Sequence, residues 1–178
     1  NKAITLNARK FLQKKCELLN LETIHLTQRK DNSFLNSFFK EIRPYQWIKN
    51  ILVFIPIIAA QQFDSNSLYQ AFFAFIAFSS TASSVYIFND LLDIKADRNH
   101  PEKCKRSFAS GDLSFSLGFH LGILLLLSGL IFGFIIGNSF LTFLLTYYFI
   151  TVLYSLYFKT KALTDIFILS GLYTLRLV

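Results

Sequence analysis

From residue 44 onward, polar and apolar positions stop interleaving and separate into long uncharged runs broken by short charged segments. Leu68 to Phe88 is a run of 21 residues without Asp, Glu, Lys or Arg, the length needed to cross hydrocarbon as a helix. Leu113 to Phe158 is an uncharged run of 46 residues, more than twice one crossing, so it must fold back. Gly137, Asn138 and Ser139 are the best turn in it, giving spans near 113–136 and 139–158. A first span is predicted from about Pro44 to Gln62, with Pro44 in its first turn, Tyr45 and Trp47 as interface aromatics and Pro56 as a kink. A fifth apolar run begins near Ala162. The pattern predicts an all-α membrane protein with about five transmembrane helices.

The first 30 residues read differently. Ile4 to Leu6 and Thr23 to Leu26 are predicted strands, and Asn7 caps a predicted helix over Ala8 to Leu19, with Leu12, Cys16 and Leu19 on one side. A strand, helix and strand this small cannot build a core alone. Residues 1–30 therefore read as the tail end of a soluble α/β domain, preferred over an amphipathic segment lying on a membrane surface. Residues 31–43 link this piece to the membrane region, residues 44–178. Both ends of the sequence look cut: it opens on Asn, and it stops inside an apolar run.

Composition sharpens this reading. The chain is 53% apolar with 21 Phe and no Met, which fits a polytopic membrane protein. The net charge of +7 could point to nucleic acid, but essentially all Lys and Arg lie in the first 50 residues or in short segments flanking the apolar runs. They read as orientation signals, and by the positive-inside rule the amino terminus and the loops around residues 95–106 and 159–161 face the cytosol. An inner-membrane type of location follows, with no nucleic-acid partner. Cys16 and Cys104 are expected to be free thiols.

The candidate chemistry sits where the second span ends, in N-D-L-L-D-I-K-A-D-R-N-H-P, residues 89–101. On one continuous helix Asp90, Asp93 and Asp97 share a face, and Tyr86, Ser83 and Ser79 extend that face back into the span. Carboxylates this close repel one another if unpaired, so the arrangement asks for cations, most simply Mg²⁺ carrying a diphosphate. Lys103, Lys105 and Arg106 follow in a loop after Pro101 and could clamp phosphate oxygens, Arg106 foremost. Lys49 and Asn50 at the cytosolic end of the first span, and Lys159 after the fourth, are weaker candidates for phosphate. Asp165 and Arg176 lie in the fifth run, where an arginine usually has a carboxylate or phosphate partner. His120, alone on an apolar span, reads as a packing or hydrogen-bonding residue.

N-D-x-x-D-x-x-x-D after a membrane span, then a Pro and a basic cluster, resembles the first aspartate-rich motif of the UbiA-type intramembrane prenyltransferases. R-P-Y-Q-W-I-K-N, residues 43–50, resembles more narrowly the branch containing decaprenyl-phosphate phosphoribosyltransferase. The similarity extends from about Ile42 to the end. It implies part of a nine-helix bundle around a central cavity, with Asn89, Asp90, Asp93 and Asp97 holding Mg²⁺ and a diphosphate. The implied partners are a diphosphate-bearing substrate and a polyprenyl lipid. In the narrower branch phosphoribosyl pyrophosphate is the donor and a polyprenyl phosphate the acceptor. The alternative within the family is a prenyltransferase acting on an aromatic acceptor. A non-enzymatic alternative is a cation-binding scaffold or transporter. The chain departs from the family pattern at Ser107, where an Arg-Pro pair is usual, and lacks the second aspartate-rich motif, which is expected beyond Val178. Five spans cannot close a nine-helix cavity, so the chain alone is expected to be inactive.

Overall fold

The structure, a computed structural model, describes residues 2–5, 22–25, 34–158 and 162–177. The chain divides into two compact units, residues 1–33 and 34–178. In the first, strands β1 (Lys2–Thr5) and β2 (Glu22–His25) pair in parallel, with Ile4 opposite Ile24. Both lie one or two residues before the positions expected from sequence, and the helix expected over Ala8 to Leu19 lies outside the described residues.

The second unit is helical. Helix α1 (Phe34–Ile42) buries Ser37, Glu41 and Ile42 and leaves Leu35 and Phe39 outward. It ends because Pro44 follows: the residue before a proline is disfavoured in helical geometry, and Arg43 takes up left-handed φ 54°, ψ 57°. Pro44 opens an eleven-residue 3-10 helix, Pro44–Phe54, which passes into the six-residue α2 (Ile55–Ala60). The steeper rise of 3-10 geometry gives this short pair of segments a reach of roughly 31 Å, enough for hydrocarbon about 30 Å thick.

Helix α3 (Ser65–Leu92) is the axis of the bundle. Asp64 caps it, accepting hydrogen bonds from the Ser67 amide at 3.0 Å and the Ser67 hydroxyl at 2.7 Å. These two donors hold the exposed Asp64 carboxyl below its ordinary range. Helix α6 (Phe115–Ile136) returns against α3, and α7 (Asn138–Leu153) starts immediately after Gly137, whose φ of 143° only glycine adopts without strain. Among the described residues these three helices are long and apolar enough to cross a membrane, α7 being counted with the π turn Tyr154–Phe158 that extends it. α3 is 61% buried over its most apolar window, against 22% and 11% for the other two, so it lies at the centre while they face outward. The last helix, α8 (Ala162–Thr174), has 13 residues.

Close approach of α3 and α6 depends on small residues. Gly118 and Gly122 lie under the Phe108 and Phe88 rings, and Gly129 packs on Thr81 and the Ala77 carbonyl. Glycines four residues apart let helix backbones meet without a hydrophobic drive between them. Two apolar clusters close the unit. Ile87, Leu91, Phe108, Leu113 and Leu121 pack near the aspartate end, and Ala77, Phe78, Leu144, Tyr147 and Leu172 pack further along α3.

The aspartate segment departs from one continuous helix. α3 stops at Leu92, Asp93 takes φ −87°, ψ 2°, and a short α4 (Ile94–Arg98) follows. Hydrogen bonds from the Asp93 amide to Asn89 and from the Asp97 amide to Asp93 carry the chain across this step. A 3-10 turn at Lys103–Lys105 and a four-residue α5 (Ser107–Ser110), ended by Gly111 at φ 82°, bring the loop back onto α3.

Candidate anion and metal site

The buried serines of α3 position the first segment. Ser83 donates to the Ile42 carbonyl at 2.7 Å and accepts from the Trp47 indole at 3.0 Å, and Ser79 accepts from Asn50 at 3.0 Å. Ser79 and Ser83 lie on the face that sequence spacing assigned to a polar seam. What the seam does is hold the 3-10 helix, and through it Arg43, against the end of α3.

Arg43 then meets Asp90. Its guanidinium forms an ion pair with Asp90 Oδ2 and lies over the Tyr86 ring, 4.9 Å from the centroid. Arg106 comes from the opposite side: its Nη1 donates to Asp90 Oδ1 and to Asp97 Oδ2, both at 2.8 Å. Asp90 and Asp97 are each 2% exposed. One guanidinium therefore joins carboxylates on two helical segments, and Asp90 has both oxygens engaged. Burial works against the charge of Arg43, and the Asp90 attraction and hydrogen bond overcome it, holding its pKa above the ordinary arginine value.

Glu41 braces the same corner. It accepts from the Ser107 amide at 2.9 Å, which fastens α1 to the start of α5. Burial pushes its carboxyl above the ordinary range, against those Ser107 hydrogen bonds. Lys40 adds a bond to the Lys105 carbonyl at 2.7 Å. Ser107, which stands where the family pattern has an Arg-Pro pair, is buried and used structurally.

The remaining sequence candidates fall as follows. Tyr86, Asn89 and Lys49 line one cleft of about 240 Å³ together with Arg43, Tyr147, Ser155 and Arg176. Asn89 Oδ1 accepts from the Ser155 hydroxyl. Asn50 is buried beneath this cleft, bonded to Ser79 and accepting from Arg176 at 2.9 Å. Asp93 is half-buried at the break between α3 and α4, and Lys103 and Lys105 are exposed, Lys105 paired with Glu102 at 3.0 Å. Lys159 lies outside the described residues. His120 bonds the Ser116 carbonyl of its own helix. Sequence reasoning overlooked Arg43 and Glu41. The available signal was their position in the three residues before Pro44, where α1 must end and the chain turns both toward the same corner.

Asp90 and Asp97 are not left unpaired, because Arg43 and Arg106 compensate part of their charge. Among the described residues no three His, Cys, Asp or Glu side chains converge as a coordinating group. The donor chemistry of Asn89, Asp90, Asp93 and Asp97 is nonetheless all hard oxygen, which fits Mg²⁺. That ion is usually held by one or two carboxylates with phosphate oxygens and water completing its shell. Two guanidiniums within reach of the same carboxylates make the corner equally suited to phosphate oxygens.

Residues 50–178 match the family described as the UbiA prenyltransferase family. The chain is 32% identical over 142 residues to the nodulation protein NoeC of Azorhizobium caulinodans, covering 80% of this chain and 46% of that protein. It is 31% identical over 144 residues to the decaprenyl-phosphate phosphoribosyltransferase of Mycobacterium tuberculosis, covering 78% and 48%. An uncharacterized protein of Sinorhizobium fredii is 33% identical over 145 residues, covering 81% and 28%. The chain thus spans less than half the length of the curated relatives it matches.

Proposed function

The chain belongs to the UbiA prenyltransferase family of integral membrane transferases, and from that premise we propose that it is part of an enzyme moving a phosphoribosyl group from phosphoribosyl pyrophosphate to a polyprenyl phosphate. The observation that carries this reading is the Arg43, Asp90, Arg106, Asp97 cluster at one end of the central helix. The 31% identity to a decaprenyl-phosphate phosphoribosyltransferase supports the choice of substrates. The Lys- and Arg-rich segment at that end, Lys95 to Arg106, supports a cytosolic orientation by the positive-inside rule, on the side where a soluble donor is available.

In this reading the bond between the anomeric carbon and the diphosphate oxygen breaks, and the electron pair leaves with the diphosphate. A phosphate oxygen of the lipid forms the new bond to that carbon. Arg43 and Arg106 neutralise charge growing on the leaving group, the preorganised electrostatic stabilisation that contributes most to such reactions. Asp90 and Asp97 hold the two guanidiniums in place until phosphate oxygens compete for them. Mg²⁺, held by Asp93, Asp97 and Asp90 with Asn89 beside them, would supply further charge neutralisation on the diphosphate. Lys49, Lys159 and the Tyr86 hydroxyl are assigned to substrate phosphate and ribose, and Asn50 to supporting them from beneath.

The family description favours a second reading, transfer of a polyprenyl chain from its diphosphate to an aromatic or other acceptor. Assaying the complete protein with each substrate pair separates the two. Lipid-linked phosphoribose formed from phosphoribosyl pyrophosphate and polyprenyl phosphate supports the proposal. Prenylated acceptor instead, or no transfer with either pair as expected of a scaffold or transporter, overturns it.

A further inference from the structure

Arg176 is 9% exposed and follows the last helix, and its hydrogen-bond partners among the described residues are neutral. Its Nε donates to Asn50 Oδ1 at 2.9 Å, Nη2 to the Tyr147 hydroxyl at 2.9 Å and Nη1 to the Leu172 carbonyl at 3.3 Å. The Tyr147 and Tyr173 rings lie 5.1 and 5.2 Å from its guanidinium carbon. Three of the five guanidinium N–H groups are thereby used, and among the described residues no carboxylate pairs with the charge. Asp165, the acidic residue of the same apolar run, stands eleven residues before Arg176 in the sequence. An intramembrane cation held this way normally marks a functional site with an anionic partner.

Its position separates it from the aspartate corner. Asn50 joins Arg176 to Ser79, and Ser79 lies eleven residues from Asp90 on α3, roughly 16 Å along a helix. That rise is longer than a diphosphate, whose two phosphorus atoms share one bridging oxygen. Arg176 nevertheless lines the same cleft as Arg43 and Lys49, with Tyr86, Tyr147 and Ser155 between them, and no carboxylate lines that cleft among the described residues.

We infer that Arg176, assisted by Lys49, forms a second anion subsite that takes a phosphate monoester. This rests on the phosphoribosyl reading, in which both substrates carry a monoester besides the leaving diphosphate: the 5-phosphate of the donor and the lipid phosphate of the acceptor. A prenyl transfer to an aromatic acceptor has no such group to place there.

Binding tests it without turnover. Trp47 is the sole tryptophan of this chain and lies on the 3-10 helix that carries Lys49 and Asn50, so in a complete protein with any other tryptophans replaced by phenylalanine its fluorescence reports on the cleft. The complete protein in detergent is titrated with dodecyl phosphate, ribose 5-phosphate and dodecanol. The expected result is saturable quenching by one or both monoesters, weakened about tenfold or more in Arg176→Gln and largely kept in Arg176→Lys. The stronger of the two ligands identifies the source as lipid or soluble donor. Should Arg176→Gln fail to fold, Lys49→Gln, at an exposed position, is expected to weaken binding about threefold. Equal binding of dodecanol, or affinity unchanged in the variants, overturns the subsite. If these binding results hold while the complete protein transfers a prenyl chain, the subsite stands and the phosphoribosyl reading falls.

Discussion

Arg43 holds a left-handed backbone, φ 54° and ψ 57°, and from there its guanidinium reaches Asp90, 47 residues further along the chain. For a residue with a Cβ this conformation costs about 1–2 kcal/mol, so packing on both sides must enforce it. Arg43→Ala and Arg43→Gly lose the same ion pair, but only glycine relieves the backbone. Arg43→Gly should therefore be the more stable variant by about 1 kcal/mol in thermal unfolding in detergent. An alanine variant as stable as the glycine variant would show that Arg43 is not held in this conformation.

Asp90 has two guanidinium partners and Asp97 one. Removing a charge from a buried pair leaves its partner uncompensated, so Asp90→Asn should cost on the order of 3 kcal/mol and Asp97→Asn roughly half as much. A double-mutant cycle of Asp90→Asn with Arg106→Gln should give a coupling of about 1–3 kcal/mol. Additive losses would mean that the pair does not form.

A methyl group at Gly129 would stand 2.3 Å from Thr81 Oγ1 and 3.0 Å from the Ala77 carbonyl oxygen. The threonine can turn, but the carbonyl belongs to the helix and cannot. Gly129→Ala is expected to destabilise by about 1–3 kcal/mol, measured as loss of folded monomer in size exclusion after heating. Gly171, on α8 with open space around it, is the control, and Gly171→Ala should be neutral or stabilising.

Glu41 gives a pH signature of defined sign. Its folded pKa is raised by burial, so ionisation costs more in the folded protein than in the unfolded chain. Stability from this group is present in full below its ordinary value of 4.5 and is lost as pH rises through the folded value. Glu41→Gln should accordingly be more stable than the wild type at pH 7, with the difference shrinking as pH falls toward 4.5. A difference that grows on acidification would contradict the assignment.

The three long helices were legible because uncharged length is the dominant signal in a bilayer: the runs 68–88, 113–136 and 139–158 fall on α3, α6 and α7. The α3–α6 seam was not read from the sequence: Gly118, Gly122 and Gly129 meet α3 side chains while Gly133 meets Leu144, Leu141 and Phe140 of α7, and spacing alone does not say which helix a glycine meets. The 3-10 geometry of Pro44–Phe54 was not legible, since an apolar run carries no mark of its rise per residue. At the site, helical spacing brought Asp90 and Asp97 to one face, and both are found on Arg106. It could not foresee the break at Asp93. Arg43 was read as the first residue of the R-P-Y-Q-W-I-K-N motif and not as a site residue, because its pairing depends on how α1 and the 3-10 helix meet at Pro44.

The most direct test of the account is the release of diphosphate by the complete protein, measured against lipid-linked phosphoribose formed from phosphoribosyl pyrophosphate and a polyprenyl phosphate. The account predicts one diphosphate per product, loss of turnover when divalent metal is chelated and its return with Mg²⁺. It also predicts a fall of about a hundredfold or more in Asp90→Asn and in Arg106→Gln. Product formation that continues unchanged in both variants would contradict it.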